Sequence, residues 1–401
     1  MSANAPALEG GAPVRTGKPV PFFRADLTES DIEAVTATLR SGWLTLGPRT
    51  AEFEAACAAY LQAPHALATS SCTASLFLAL RTFDIGPGDE VIVPSLTFPS
   101  TVNTIRHVGA EPILVDIEMV GFGVDPSEVA DAISARTRAV LAVDYGGQPC
   151  DLGALTDLTR ARGLHLIEDA AHSFGARYRD QPVGAWADAT AFSFYATKCI
   201  TTGEGGLLTC LDAEAMERAR LLGFHGMQRD AWKRYSDRGS WFYEIECAGY
   251  KFNMSDVQAA LGLSQLQRAD ALREARERVV LEYTRALGDL EALVLPGLRP
   301  EVLHAWHLFA VQLDLDALRV DRDQFARALR EEGIVPSVHF IPYHRHPVAR
   351  GATPVQTARP LPRTEHFAER CLSLPLFPHM PEPDVADVIQ AVRKLMAYYK
   401  R

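Results

Sequence analysis

From about residue 27 onward, short aliphatic and β-branched runs alternate with longer segments of helical period, and this alternation constrains the fold most. Several of the runs are apolar on both faces, among them EVIVP (90–94), AVLAVD (139–144) and LHLIED (164–169). Strands of this kind are typical of a parallel sheet that is covered by helices on both sides. The sequence therefore predicts an α/β fold with a mostly parallel sheet.

The predicted elements follow this alternation. Helices are predicted at 30–40, 50–61, 72–83, 99–108, 126–135, 152–162 and 213–222, and strands at 65–69, 90–94, 112–116, 139–144, 164–169, 189–195 and 205–211. Ser30 to Glu33 fits a capping box that opens the first helix. Farther along, one long helix is predicted at 255–287, followed by strands at 307–313 and 335–340 and helices at 323–332 and 384–399.

The character of the chain changes after residue 210, and this change suggests a division into domains. Residues 1–20 are rich in Ala, Gly and Pro and are predicted to form a flexible arm. Residues 21–265 are predicted to form a large α/β domain. Residues 266–401 are predicted to hold most of a long connecting helix and a small α+β domain.

The composition favours a protein that acts on small molecules. The 401 residues carry a formal net charge of -10 and no dense Lys/Arg stripe, so neither nucleic acid nor an anionic membrane is expected as a partner. No run approaches the roughly 20 apolar residues of a membrane span, and none near the start fits a secretion signal, so a cytoplasmic location is expected. The seven scattered cysteines show no zinc-type spacing, which predicts reduced thiols and no metal.

Polar residues that follow strands deserve most weight, because ligands bind at the carboxyl ends of strands in open α/β sheets. TSSCTAS (69–75) closes a strand and opens a helix, so its backbone N–H groups could meet a phosphate, although plain N-capping also fits. IEDAAH (167–172) ends a strand in two carboxylates. One of them could pair with a protonated ring nitrogen, cap a helix or bind a metal.

Two further segments complete the set of candidates. FSFYATKCITTGEGG (192–206) places Lys198 after an apolar strand and before a glycine-rich turn. Desolvation in a cleft would lower the pKa of that lysine and make it a Schiff-base former, whereas an isolated lysine is more often a solvated surface residue. GYKFNMSD (249–256) is a polar and aromatic turn before a helix, and a simple loop with Ser255 as the N-cap fits it equally well.

Taken in order, these segments resemble the DegT/DnrJ/EryC1/StrS family of sugar aminotransferases, from about residue 20 to the C-terminus. The similar motifs are GDEVIVPSLTFPSTVNTI, GAEPILVDIE, IEDAAHSFGA, FSFYATKCITTGEGG, GFHGM, GYKFNMSDVQAALGL, VPSVHFIPYHRHP and LSLPLFP. The resemblance implies the aspartate aminotransferase-like fold of type I pyridoxal 5'-phosphate (PLP) enzymes. In that fold a large domain with a mostly parallel seven-stranded sheet binds PLP, and a small α+β domain lies at the C-terminus.

The resemblance also implies roles for individual residues. Lys198 would carry PLP as a Schiff base and later move protons, and Asp169 would pair with the pyridine nitrogen. The remaining residues expected around the cofactor are Cys72, Thr73, Phe98, His172 and Ser193, with Lys251 and Asn253 from a second subunit. The last two imply a homodimer with shared active sites.

The implied substrates are glutamate, as amino donor, and a nucleotide-linked keto sugar. The TTGEGG run together with His172 and His339 resembles the branch that acts at C4 more than the one that acts at C3. His339 and Tyr343 are expected to face the substrate, and a structural histidine is the alternative at 339. Trp43 either lines the same pocket or packs against it.

Other functions remain open at this point. Relatives that act as sugar dehydratases carry His in place of the lysine, so Lys198 argues against that activity. Amination of a cyclitol ketone, synthesis of an aromatic amino acid and a non-catalytic PLP- or sugar-binding role are not excluded. A nicotinamide-dependent enzyme is disfavoured, because no GxGxxG follows an early strand.

Two positions depart from the pattern of the family. Cys72 replaces the usual glycine of the phosphate turn, which puts the backbone approach there in doubt. Cys199 follows the lysine where Asn is usual, either as a redox-sensitive thiol or as a small buried filler.

Overall fold

The computed structural model describes residues 5–227, 244–351 and 354–401. Its strands are β1 (His65–Thr69), β2 (Glu90–Pro94), β3 (Glu111–Val115), β4 (Thr137–Val143), β5 (His165–Asp169), β6 (Arg177–Tyr178), β7 (Gln181–Pro182), β8 (Ala189–Ser193), β9 (Gly206–Cys210), β10 (Leu293–Val294), β11 (Val302–Leu303), β12 (Phe309–Leu313), β13 (Gln356–Thr357) and β14 (Cys371–Leu374). Its α-helices are α1 (Glu29–Ser41), α2 (Pro48–Leu61), α3 (Cys72–Thr82), α4 (Pro99–His107), α5 (Pro126–Ala132), α6 (Leu152–Arg162), α7 (Ala213–Gly223), α8 (Asp256–Leu266), α9 (Ala269–Leu287), α10 (Arg322–Glu331), α11 (Pro362–Arg370) and α12 (Glu382–Tyr399).

The main sheet confirms the predicted α/β class. Within the described ranges it has eight strands in the order β1-β9-β8-β5-β4-β2-β3-β13. Seven of them are the predicted strands, and the two-residue β13 extends the edge by pairing in parallel with β3. Only β9 runs antiparallel to its neighbours, β1 and β8. Because the other strands share one direction, the residues that follow β2, β4, β5 and β8 meet at one edge of the sheet.

Apolar side chains cover both faces of this sheet. One buried cluster includes Phe53, Val140 and Phe192, and the other includes Leu76, Val91 and Leu141. Val140 and Leu141 are neighbours on β4 yet belong to opposite clusters, as the alternation of side chains along a strand requires. A strand buried on both faces must be apolar throughout, which explains the unbroken apolar runs in the sequence.

The C-terminal part of the chain has a core of its own. Tyr283, Phe309, Phe325 and Leu395 are fully buried in it, and β12 lies between β10 and β14 in a three-stranded antiparallel sheet. The domain boundary at residue 265 stays a prediction, but the chain does break between α8 and α9 close to it.

The N-terminal segment packs on this C-terminal core instead of extending freely. The backbone N–H groups of Ala7 and Val14 donate to the carboxylate of Glu332 at 2.9 and 2.8 Å, and Arg15 pairs with Asp384 at 2.7 Å. Val20 is fully buried. A buried carboxylate that collects several donors holds its ligands firmly, so the expected flexible arm does not describe residues 5–20.

Three predicted details are wrong. The capping box of α1 is formed by Thr28 and Asp31, two residues before the predicted one. The predicted helix at 255–287 is two helices, α8 and α9, separated at Arg268. Residues 335–340 form no strand, because Ser337 bridges Ser373 while the neighbouring Ile334 bridges Val20, so no continuous ladder develops.

None of the helices in the described part of the chain is long and apolar enough to cross a membrane.

Candidate active site

A cavity of about 340 Å³ opens at the carboxyl edge of the main sheet. Its walls come from the segments that follow β2, β4, β5 and β8, together with the start of α3 and residues near 307 and 339. The predicted site residues that line it are Cys72, Thr73, Phe98, Asp169, His172, Ser193, Lys198 and His339. The fold thus brings together residues that lie up to 267 positions apart, since 339 minus 72 is 267.

Asp169 is the last residue of β5, and its carboxylate is buried at the base of the cavity. The hydroxyl of Thr101 donates to Oδ2 at 2.7 Å, and the backbone N–H of Ala171 donates to Oδ1 at 3.2 Å. Burial raises the pKa of Asp169, and these two hydrogen bonds and Lys198 only partly oppose that effect. A buried carboxylate whose direct donors are neutral is well suited to receive a cationic partner.

Lys198 follows β8 by five residues and lines the same cavity, where its side chain is half-buried. Burial lowers the pKa of Lys198, while the neighbouring Cys72 and Asp169 act in the opposite direction. The charged form of an amine loses hydration in such a site, so the neutral, nucleophilic form becomes more accessible. Lys198 is therefore a half-buried cavity amine with a lowered pKa, unlike the solvated surface lysine that was the alternative.

The turn before α3 is built to let a ligand approach the backbone. Ser71 is the N-cap of α3, and its side chain accepts a hydrogen bond from the N–H of Ala74 at 3.1 Å. Gly206 allows β9 to pack closely against the backbone of this turn, because a Cβ at residue 206 would lie 2.5 Å from the nitrogen of Cys72. Cys72 itself turns its thiol towards Asp169, with Sγ 3.8 Å from Oδ1. Its side chain therefore leaves the open side of the turn free.

Three histidines, His172, His307 and His339, line the cavity. The rings of His172 and His307 lie 4.3 Å apart between centroids, and the N–H of Gly146 donates to Nδ1 of His172 at 3.2 Å. That donor requires Nδ1 to be unprotonated, which places the proton of the neutral ring on Nε2. Burial lowers the pKa of all three histidines, that of His339 to about 4, so all three are neutral at physiological pH.

These residues fit PLP. The buried carboxylate of Asp169 has no cationic donor in the described part of the chain and could pair with a protonated ring nitrogen. The amine of Lys198 could bind the aldehyde. The start of α3 and Ser193 offer donors for a phosphate. Phe98 is 58% exposed at the cavity mouth, and a flat ring bound there would cover it.

Comparisons with known proteins agree with this geometry. The sequence profile of the DegT/DnrJ/EryC1/StrS aminotransferase family matches residues 25–393. The chain is 46% identical over 378 residues to the spore coat polysaccharide biosynthesis protein SpsC of Bacillus subtilis, covering 94% of this chain and 97% of that protein. This chain belongs to the DegT/DnrJ/EryC1/StrS aminotransferase family. It is therefore a PLP-dependent transaminase.

Solved structures of aminotransferases superpose closely on the chain. The putative sugar aminotransferase Spr1654 from Streptococcus pneumoniae, solved in PMP and PLP forms, has a TM-score of 0.87 and 31% identity. The match covers 95% of this chain and, for the PMP form, 98% of that one. PseC of Helicobacter pylori, an aminotransferase involved in the biosynthesis of pseudoaminic acid, has a TM-score of 0.88 and 28% identity, over 95% and 100% of the two chains.

Four predicted site residues of this aminotransferase do not line the cavity in the single chain. Tyr343 is fully buried, and its hydroxyl donates to the side chain of Asn103 on α4 at 2.8 Å. It therefore does not face the cavity. Trp43 donates from Nε1 to the carbonyl of Leu46 at 3.2 Å. Lys251 is exposed and donates to Asn253 next to it. The contribution of Lys251 and Asn253 to a second subunit's site stays a prediction.

Several residues in or next to the cavity carry no local signal in the sequence of the aminotransferase. Thr101 lies on α4 and reaches Asp169 only because α4 packs over the end of β5. His307 precedes β12, and Phe340 stacks on His172 with centroids 5.7 Å apart. Asp144 follows β4, and the rule that ligands bind after strands could have singled it out.

Cys199 is buried behind the reactive lysine. Its thiol lies 3.4 Å from the carbonyl oxygen of His172, and burial raises its pKa. A thiol that stays protonated is a poor nucleophile and a poor target for oxidation. The structure therefore favours a small buried filler over a redox-sensitive neighbour of Lys198.

Proposed function

We propose that this aminotransferase transfers an amino group from glutamate to the C4 keto carbon of a nucleotide-linked keto-deoxy sugar, as a homodimer with shared active sites. The observation that carries the chemistry is the presence of Lys198 and Asp169 in one cavity. The sugar substrate is supported by the names of the relatives, which act in polysaccharide and pseudoaminic acid biosynthesis.

The character of the cavity also supports a hydroxylated substrate. His172, His307 and His339 are neutral. Nδ1 of His172 already accepts from Gly146 and Nδ1 of His339 is hydrogen-bonded to Ser373, so these two rings present only Nε2 to a ligand. Ser100, Thr97 and Ser193 add hydroxyl groups to the same walls. Sugar hydroxyls need such paired donors and acceptors, and a site built for them discriminates strongly against analogues that lack them.

Bound PLP supplies an electron sink for the carbon next to the amino group. Lys198 takes a proton from the α-carbon of the amino donor and later returns a proton to the keto carbon of the acceptor, which its lowered pKa allows. Asp169 holds a proton at the ring nitrogen, with Thr101 fixing the orientation of its carboxylate. The rings of Phe98 and Phe340, with centroids 6.0 Å apart, shield the reacting atoms from water.

Charge within the cavity supports a shared site. Among the described residues that line it, Lys198 is the only Lys or Arg, whereas the cofactor phosphate and a nucleotide diphosphate are both anions. Lys251 is exposed at the surface, where it is available to a second copy of the chain. Apolar side chains are exposed on α1 as well, with Ile32 and Leu39 both 53% exposed, and such a face suits burial against a partner.

The reacting residue and the substrate can be tested together. Lys198→Ala is expected to lower turnover by at least about a thousandfold, because the nucleophile and proton carrier are the same group. Cys199→Ala, a change at the adjacent buried residue, is expected to stay within about threefold of the parent rate. Substrate class is measured with glutamate and a panel of UDP-, dTDP- and GDP-linked 4-keto and 3-keto sugars.

The two parts of the proposal fail in different ways. Full activity in Lys198→Ala would remove the chemical assignment. Activity restricted to 3-keto sugars or to a cyclitol ketone would leave that assignment intact and overturn the substrate.

A further inference from the structure

Two carboxyl side chains that the reaction does not use are buried at the active site, Asp144 in the wall of the cavity and Glu168 beside it. Asp144 follows β4 and Glu168 is the penultimate residue of β5, and both are 0% exposed. The two strands pair in parallel, and the N–H of Asp144 donates to the carbonyl of Asp169 at 3.1 Å. Within the described ranges, neither side chain forms an ion pair with a Lys, Arg or His. Two isolated buried carboxylates would be very costly, so their protonation state needs an explanation.

The hydrogen bonds of the pair identify where a proton must lie. Asp144 accepts from the N–H of Cys150 at 3.0 Å through Oδ1 and from the hydroxyl of Ser173 at 2.6 Å through Oδ2. Oε2 of Glu168 accepts from the hydroxyl of Thr190 at 2.9 Å. Oε1 of Glu168 meets no donor in the described part of the chain, and the carboxyl group of Asp144 lies within hydrogen-bonding reach of the Glu168 side chain. Two carboxyl groups can form a hydrogen bond only if one of them is protonated.

We propose that Glu168 is a carboxylic acid that keeps its proton across the working pH range, donates it to Asp144, and so positions the two chain segments that hold His172. The assignment of the proton to Glu168 follows from the count of donors. Burial raises the pKa of Asp144 as well, but Asp144 accepts two other hydrogen bonds that favour its ionised form, whereas Glu168 accepts one. Burial and the nearby charges of Asp144 and Asp169 all raise the pKa of Glu168.

The carboxylate of Asp144 connects this proton to His172. Ser173, which it holds, is the residue after His172, and Cys150, which it also holds, ends the turn that contains Gly146. The N–H of Gly146 is the donor that fixes the tautomer of His172. Gly147 packs so closely on this histidine that a Cβ would lie 2.9 Å from the carbonyl oxygen of His172. The Asp144 and Glu168 side chains therefore position His172, and this role does not depend on which ketone the enzyme accepts.

Infrared spectroscopy of the holoenzyme tests the proton directly. The difference spectrum of wild type minus Glu168→Gln is expected to show the C=O stretch of a protonated carboxylic acid at every pH from about 6 to about 9. Thr190→Val is the matched control. It removes the hydrogen bond to the carbonyl oxygen of Glu168, so the band should persist but move to higher frequency. A difference spectrum with carboxylate bands and no carboxylic acid band would overturn the proposal.

Comparison of two substitutions tests the positioning role. The amide of Glu168→Gln still donates to Asp144 and accepts from Thr190, so kcat/KM should stay within about threefold of wild type. Glu168→Leu provides no donor and should lower kcat/KM roughly tenfold or more, with circular dichroism confirming that it folds. Equal activity of the two variants would exclude the positioning role. If Glu168→Leu does not fold, a large loss of activity in folded Glu168→Gln would exclude that role.

Discussion

At Lys198, two influences act on the pKa in opposite directions. Burial is the larger and lowers the pKa, while Cys72 and Asp169 raise it. The result is an amine that is less often protonated than a surface lysine, and it lies beside a carboxylate that would otherwise favour its charge. A lysine in such a balance is a usable nucleophile near neutral pH.

This balance predicts how the stability of the cofactor-free protein depends on pH. The unfolded chain binds a proton at Lys198 up to about pH 10.4, whereas the native amine releases it at lower pH. Between those two pKa values the unfolded state binds more protons, so stability should rise with pH there. Urea unfolding of wild type and Lys198→Met across this range measures the effect, because the substitution removes the titrating group. A free-energy difference between the two that does not change with pH would contradict the lowered pKa.

At the scale of elements, one side chain joins two helices. Asp256 is the first residue of α8, and its carboxylate accepts from the N–H and the hydroxyl of Thr50, at 2.9 and 2.7 Å, near the start of α2. The N-cap of α2 is Gly47, which has no side chain to fill this role. Because α8 follows the loop that contains Lys251, Asp256 also fixes the end of the segment proposed to reach the partner.

Asp256→Ala is expected to lower the free energy of unfolding by about 2 to 3 kcal/mol, because the N–H of Arg49 and the N–H and hydroxyl of Thr50 lose one buried acceptor. The matched control is Asp212→Ala, which removes the exposed N-cap of α7 and should cost about 1 kcal/mol. Urea denaturation of both variants provides the comparison. Similar losses at the two positions would mean that the buried location of Asp256 adds nothing.

At the scale of the whole molecule, shared active sites can be tested by mixing subunits. A homodimer in which Lys251 serves the partner's Lys198 has an unusual property. If one subunit carries Lys198→Ala and the other Lys251→Ala, one of the two sites loses both lysines and the other keeps both. Each variant alone would be impaired at every site.

Co-refolding equal amounts of the two inactive variants should therefore restore about a quarter of the wild-type activity per subunit, because half of the dimers are mixed and each has one intact site. The control is Lys251→Ala refolded with Lys251→Ala under the same conditions. No recovery in verified mixed dimers would show that each site uses its own Lys251, whereas full activity of Lys251→Ala alone would show that Lys251 is not needed.

Much of this protein was predictable from the order of its residues. Apolar runs such as EVIVP and LHLIED are local patterns, and burial on both faces follows from them, so the parallel sheet could be predicted. Asp169 and Lys198 stood out because chemistry in such sheets lies just after strands. Errors arose where local patterns compete with distant contacts. The helix predicted through Arg268 breaks at that residue, whose guanidinium is held by Asp26 and by Asp31, at 2.7 Å from the latter.

The sequence by itself determined the class of the sheet and indicated the two residues proposed to carry the chemistry, because both depend on short-range patterns. Only the tertiary structure decided which residues surround them. Thr101 reaches Asp169 across 68 residues, and His307 reaches His172 across 135, since 307 minus 172 is 135. It also turned Tyr343 towards α4 and away from the cavity. Such contacts are set by how helices and segments pack on the sheet, and no local pattern carries that information.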